Sequence, residues 1–282
     1  TGTYNTLIGG NAGDALTTGA RNVAIGFNAL TTEDGNGYTV AVGYEALKTQ
    51  NAGAESYNVA IGYQAGLSVT TGVRNVVIGG AAGDAITTGA SNTAIGHEAL
   101  GAEDSGSKNT AVGAYCMQDL NYDGEGHNTA VGYVAGTELT TGVRNTLIGS
   151  LAGDALTTGS YNVAIGYLAL SAEDGNGRNV AIGNNTLMTQ NAGAEAYNVA
   201  VGFAAGEAVT TGVRNVLIGG LAGDSLAGGS HNVAIGTYAL STEDTHGKNV
   251  AIGYSALVVQ NAGADAYNVA IGYNAGEAVT TG

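Results

Sequence analysis

The sequence predicts an all-β fold, a β-solenoid or β-roll of about 16 coils of 17–19 residues in four 70-residue blocks. Three observations carry this reading. Asn-x-Ala-Ile-Gly, or a close variant, recurs along all 282 residues, with its first position at 5, 22, 39, 58, 75, 92, 109, 128, 145, 162, 179, 198, 215, 232, 249 and 268. The steps are 17 residues with one of 19 in each block, so Asn5, Asn75, Asn145 and Asn215 stand 70 apart. Glycine, 49 residues in all, returns at fixed phase without any proline, and no 3.6-residue apolar period supports a helix. The chain reads as one repeat array, 1–282, in blocks 5–74, 75–144, 145–214 and 215–282. Thr1-Gly2 and Thr280-Thr281-Gly282 share the phase of the internal Thr-Thr-Gly, which suggests a segment of a longer fibre.

Counting the Asn as position 0, position 1 is Val or Thr and position 3 is Ile or Val in every coil. Two β-branched residues at this spacing share one face of an extended strand. Position 2 is Ala in twelve coils and Leu or Val in the first coil of each block. The expectation is that the β-branched face fills its own coil and the small Ala face is kept for a neighbouring chain. Position 4 is always Gly, where the strand must turn. Position 7 is Ala except at Cys116 and Thr186, so Cys116 reads as a small buried residue rather than a reactive thiol. Position 8 is Leu or Met in the middle two coils of a block and Gly in the outer two, and an apolar residue at position 11 (Leu16, Val69, Ile86, Leu139) closes the core. The two extra residues of the 19-residue step are expected in the third coil's loop, because a strand ladder cannot absorb them. Position 0 is Asn in all coils but one, where Thr39 stands. Asn5, Asn22, Asn58, Asn75 and Asn92 read as a structural ladder of amides bonded along the column.

The formal net charge is −15, and the eight basic residues (Arg21, Lys48, Arg74, Lys108, Arg144, Arg178, Arg214, Lys248) look scattered. Nucleic acid is therefore not an expected partner. No apolar run approaches the ~18–20 residues that a membrane span requires, so membrane insertion is not expected. The thin core favours burial against further copies, and a homotrimer is the expected state.

Asn92-Thr93-Ala94-Ile95-Gly96-His97-Glu98-Ala99-Leu100, with Thr140-Thr141-Gly142, resembles the repeats of phage and phage-derived tail-fibre proteins. The pattern Asn-Val-Ala-Ile-Gly-x-x-Ala is also similar to the β-roll head repeats of trimeric autotransporter adhesins, whose coils are shorter. The resemblance covers the whole chain. It implies a trimeric fibre segment at the cell surface, outside the cell or on a virion, used for reach, attachment or display.

Sites of chemistry are few, and no enzyme is expected. Glu33-Asp34, Glu103-Asp104, Glu173-Asp174 and Glu243-Asp244 read as solvated loops, with calcium at the Asp34-Gly35-Asn36 type of loop the minor alternative. Asp14, Asp84, Asp154 and Asp224 read as turn residues that could meet Arg74, Arg144 and Arg214 along the stack. His97, His127, His231 and His246 read as sharing no column, which gives no metal site. The strongest surface signal is aromatic: Phe27, Tyr44, Tyr63, Tyr133, Phe203 and Tyr273 at position 5. These, or the Thr-Thr doublets, offer the alternative reading of a solenoid that binds a glycan, a receptor or ice.

Overall fold

Every Val/Thr-x-Ile/Val triplet forms a three-residue strand in the computed structural model, which describes residues 2–281. Thr1 and Gly282, on which part of the phase argument for a longer array rests, lie outside the described residues. The chain divides into two units, Thr1–Val143 and Arg144–Gly282. Unit 1 holds β1 (Thr6–Ile8), β2 (Val23–Ile25), β3 (Val40–Val42), β4 (Val59–Ile61), β5 (Val76–Ile78), β6 (Thr93–Ile95), β7 (Thr110–Val112) and β8 (Thr129–Val131). Unit 2 holds β9 (Thr146–Ile148), β10 (Val163–Ile165), β11 (Val180–Ile182), β12 (Val199–Val201), β13 (Val216–Ile218), β14 (Val233–Ile235), β15 (Val250–Ile252) and β16 (Val269–Ile271). No helix occurs among the described residues, so none is long and apolar enough to cross a membrane.

Within each unit the strands pair in parallel with their neighbours in chain order, position for position. Val23, Ala24 and Ile25 lie opposite Val40, Ala41 and Val42. The 19-residue step changes nothing in this register: Val40 pairs with Val59 in unit 1 and Val180 with Val199 in unit 2. The two extra residues are taken up entirely by the loop, as expected.

The strands are short because the backbone on both sides leaves the β region. The residue at position −1 is left-handed in every coil, from Tyr4 (φ 63°) to Tyr267 (φ 56°). The position 4 glycine that ends the strand has φ between 130° (Gly236) and 147° (Gly132). A Cβ on Gly96 would also overlap the Gly113 carbonyl one coil on, so both conformation and close approach demand glycine there. Positions 6 and 8 are left-handed too, as at Glu98 (φ 53°) and Leu100 (φ 51°), and they fold the chain back over the strand.

The orientation of the strand is the reverse of the expected one. Position 2 points into its own coil, where Ala24, Val77, Ala94 and Leu147 are fully buried, while positions 1 and 3 are half-buried or exposed. The interior itself demands the small residue. Where position 8 is Leu (Leu30, Leu100), position 2 is Ala; where position 2 is Val or Leu, position 8 is Gly. A Cβ on Gly83 would meet Ile86 Cδ1 at 2.8 Å and Val77 Cγ1 at 3.2 Å, so the volumes trade within one coil. The β-branched residues are thereby left on the outside.

The Asn column is buried and structural, but its bonds run mainly through the backbone, with an amide-to-amide bond from Asn128 Nδ2 to Asn109 Oδ1 (3.3 Å) beside them. The Asn22 N–H donates to Asn5 Oδ1 (2.9 Å), Asn75 to Asn58 Oδ1 (2.8 Å) and Asn92 to Asn75 Oδ1 (2.9 Å). The Nδ2 of Asn5, Asn22, Asn58, Asn75 and Asn92 each donates to a carbonyl 14 residues on, at 2.7–2.9 Å. Each amide therefore satisfies one donor and one acceptor that the turn would otherwise leave buried and unpaired.

Candidate interaction surface

The strand face that points outward carries a band of Val, Thr and Ile two residues wide on each unit. Ile61 is 40% exposed, and Ile148 and Ile218 are each 37% exposed. Large side chains flank this band on both edges, at positions −1 and 5 on either side of the three-residue strand.

One edge is the position 5 column read from the sequence. Phe27, Tyr44 and Tyr63 stack in unit 1 with centroids 5.6 and 5.4 Å apart and interplanar angles of 19° and 10°. Tyr133 meets Tyr115 edge-on at 6.2 Å. In unit 2, Tyr273 stacks on Tyr254 at 5.3 Å, and Phe203 is exposed. In the Phe27, Tyr44 and Tyr63 stack the ring faces are spent on cross-coil packing, and all three residues stay exposed.

The other edge, position −1, was not foreseen. It holds seven of the eight basic residues, all but Lys48, so the cations form a column rather than a scatter. Tyrosines alternate with them. Arg21 lies over the rings of Tyr4 and Tyr38 at 5.6 and 5.2 Å, and Tyr38 stacks on Tyr57 at 5.1 Å. In unit 2, Arg178 sits between Tyr161 and Tyr197, 5.5 Å from each. Every residue at this position is exposed. His127 and His231 also fall in it, against the expectation that the histidines share no column. The signal lay one residue before each Asn, where the sequence shows Tyr, Arg, Lys, His or Ser and nothing else. Glu125 pairs with Lys108 at 2.5 Å, Asp265 with Lys248 at 2.6 Å, and Glu195 with Arg178, all from the long third-coil loops. Asp265 and then Tyr267 hold the Lys248 ammonium well above its ordinary value.

The paired acids are solvated only in part: Asp34 and Asp174 are exposed and Asp104 and Asp244 half-buried, but the Glu of each pair is not. Glu33, Glu103, Glu173 and Glu243 are fully buried at position 11. Glu33 Oε1 accepts from the Asn36 N–H (2.9 Å) and Nδ2 (2.8 Å), and Oε2 accepts from Gln50 Nε2 (3.2 Å). The carboxylate thus braces its own loop from inside, with Asn36, named above as a calcium candidate, as its partner. Burial raises Glu173 and Glu243, and it pushes Glu103 up to about 7, with only partial relief from the Gly106 and Tyr122 backbone. One group among the described residues brings metal-ligating atoms together: those of Glu243, Asp244 and His246 lie within 4.8 Å of one another. Glu243 is already engaged there by Gln260 Nε2 (3.3 Å) and the backbone of His246 (3.3 Å).

Among the described residues no ion pair joins Asp84 or Asp224 to Arg74 or Arg214. Asp84 instead lines a groove of about 270 Å³ with Ala81, Glu98, Gly101, Gln118 and Asp119, beside the position 5 edge. Burial, with the Glu98 charge nearby, raises Asp84. The Thr-Thr doublets are engaged along the stack: Thr70 Oγ1 donates to the Thr87 carbonyl (3.2 Å) and Thr87 Oγ1 to that of Asp104 (3.1 Å). Cys116 is buried, its Sγ 3.3 Å from the Ala130 carbonyl, and burial pushes the thiol up to about 12. No family model, curated protein or solved structure matches this chain, so its reading rests on these residues.

Proposed function

We propose that this chain is a structural segment of a fibre, a shaft or head that provides reach, attachment or surface display, and that it assembles as a homotrimer. The observation that carries the proposal is the outward band of Val, Thr and Ile between two aromatic edges, repeated coil after coil. Completing the burial of a half-exposed Val or Ile contributes on the order of 1 kcal/mol, and the band offers two such residues per coil. Exposed apolar area of this length and regularity marks a surface built for association. The shared face is the β-branched one, not the Ala face. A fibre segment with the tail-fibre and adhesin resemblance belongs on a virion, at the cell surface or outside the cell.

Light scattering combined with sedimentation tests this directly. The expected species has three times the mass of the 282-residue chain. A stable monomer at micromolar concentration would remove the proposal. A second reading, a glycan-binding solenoid, draws on the exposed residues Phe27, Tyr44 and Tyr63. Binding on a glycan array that is lost in Tyr44→Ala while the oligomer persists would favour it.

A further inference from the structure

Resting on the reading that copies share the β-branched face, we propose that they lie parallel, with the −1 edge of one copy against the position 5 edge of the next and Arg74 seated in its neighbour's acidic groove. Parallel copies closed around a common axis always bring one edge of the face to the opposite edge of the neighbour. The two edges must then match at each coil level, and the fourth and first coils carry the match. In the fourth coil of every block both edges carry rings: Tyr57 with Tyr63, His127 with Tyr133, Tyr197 with Phe203, Tyr267 with Tyr273. In the first coils of blocks 2, 3 and 4 a long Arg at −1 goes with almost no side chain at position 5: Arg74 with Gly80, Arg144 with Ser150, Arg214 with Gly220, while block 1 has Tyr4 with Gly10.

Packing inside one copy bears on each column separately, as where Phe27 and His97 lie over Gly10 and Gly80, and does not join the −1 residue to the position 5 residue of its own coil. Positions −1 and 5 of a coil are six residues apart, on opposite sides of the three-residue strand. The in-copy stacks run along each column, as Tyr38–Tyr57 and Tyr44–Tyr63 do, and not across the face. Large against small and ring against ring across the face need a partner that touches both edges at once.

Charge points the same way. Arg74 has no carboxylate partner in its own copy among the described residues. At the opposite edge, in the coils that start at Asn75, Asn92 and Asn109, the groove holds Asp84, Glu98 and Asp119. It is lined at this edge by Ala81, whose small side chain leaves room for a guanidinium. Glu98 is already held in its own copy by Gln118 Nε2 (2.6 Å) and His97 Nε2 (3.2 Å), which leaves Asp84 and Asp119 as the acceptors that a planar fork of donors suits.

The test uses the full chain with one thiol added per copy. Tyr57→Cys and Tyr63→Cys are made separately, then co-expressed, and each preparation is treated with a short bis-maleimide. Native Cys116 is buried and stays silent. Covalent dimers are expected from the co-expressed pair and from neither variant alone. Cross-linking of either variant by itself would mean an antiparallel, isologous contact and would overturn the proposal. So would the absence of product from the mixture while light scattering still shows intact oligomers. A monomer by light scattering strikes the shared-face reading beneath it instead. Tyr197→Cys with Phe203→Cys repeats the test in unit 2. Arg74→Glu is expected to weaken association at least tenfold on dilution, and an unchanged dissociation curve would remove Arg74 from the seam.

Discussion

Blocks 1 and 2 trace the same backbone, yet their third coils satisfy the interior differently. In block 1, Gln50 bridges the coil: Nε2 donates to Glu33 Oε2 (3.2 Å) and Thr39 Oγ1 (3.1 Å), and Oε1 accepts from Asn58 Nδ2 (2.8 Å). In block 2 the same position is Leu120. Glu103 Oε2 is then buried with no hydrogen-bond partner, and Asn109 Nδ2 is unpaired as well. A solenoid can keep its ladder while one block carries an incomplete polar interior, because each coil answers mainly to its neighbours. The unpaired carboxylate is the costlier of the two defects.

The largest expected effect follows from that carboxylate. Glu103 ionises near 4.5 when unfolded and at about 7 when folded. Its folded value is raised, so it imposes no penalty below pH 4.5, a growing one between 4.5 and 7, and a constant one above. The difference corresponds to about 3 kcal/mol at its limit. Glu103→Gln mimics the protonated form. It should match the parent in urea unfolding at pH 4 and exceed it by about 3 kcal/mol at pH 8. Parallel curves at both pH values would show that Glu103 does not titrate in this window.

Gln50→Leu should give block 1 the interior of block 2. Glu33 Oε2 and Thr39 Oγ1 would lose their shared donor, at a cost of about 2 kcal/mol at pH 7. The converse change, Leu120→Gln, should recover a smaller amount, and denaturation midpoints measured side by side check both. A cost for Gln50→Leu below ~0.5 kcal/mol would mean that the interior repacks around Leu.

The third-coil position 0 separates the blocks again. Elsewhere each Asn Nδ2 reaches a carbonyl 14 residues on, but the long third-coil loop carries that carbonyl away, and Asn109, Asn179 and Asn249 each keep an unpaired Nδ2. Block 1 avoids this with Thr39, whose hydroxyl lies 2.5 Å from Ser56 Oγ. Copying the pair as Asn109→Thr/Gly126→Ser should stabilise block 2 by about 1 kcal/mol. Gly126→Ser alone should destabilise, because a Cβ there would run into the Asn109 side chain. A thermal melt in which the single changes simply add would contradict this coupling.

Much of this was readable in the sequence: the coil count, the strand triplet, the demand for Gly at position 4, the loop that takes the extra residues, and the buried Asn column. Three features were not. Which face of Val-Ala-Ile points inward depends on the left-handed residue at −1, and nothing about Tyr4 or Arg21 announces φ near 60°. Glu33 reads as a surface acid because its partner, Gln50, lies one coil away rather than nearby in the chain. The Tyr and cation column is invisible when basic residues are counted along the chain and plain when they are placed by phase. The last two concern contacts between coils, which a position-by-position reading of one coil does not contain.

The smallest expected effect sits in the fourth coil. Position 6 is left-handed in every coil, and most residues there are Asn, Gln, Glu or an unbranched side chain; Asn274 holds it at φ 52°. Block 2 places Val134 there at φ 60°. A β-branched residue is the worst choice for this region, because both γ-methyl groups crowd the adjacent carbonyl. Val134 is half-buried, so it also contributes some apolar contact that a polar residue would forgo. The backbone term should prevail, at about 1 kcal/mol per left-handed residue relieved. Val134→Asn is therefore expected to raise stability by ~0.5 kcal/mol, and Val134→Gly by less, since glycine adds freedom to the unfolded chain. Asn above Gly above Val in denaturation midpoint is the predicted order. If Val ranks first, side-chain contact at this edge outweighs backbone strain, and the same edge in the other fourth coils should then gain from Gln64→Val and Asn274→Val.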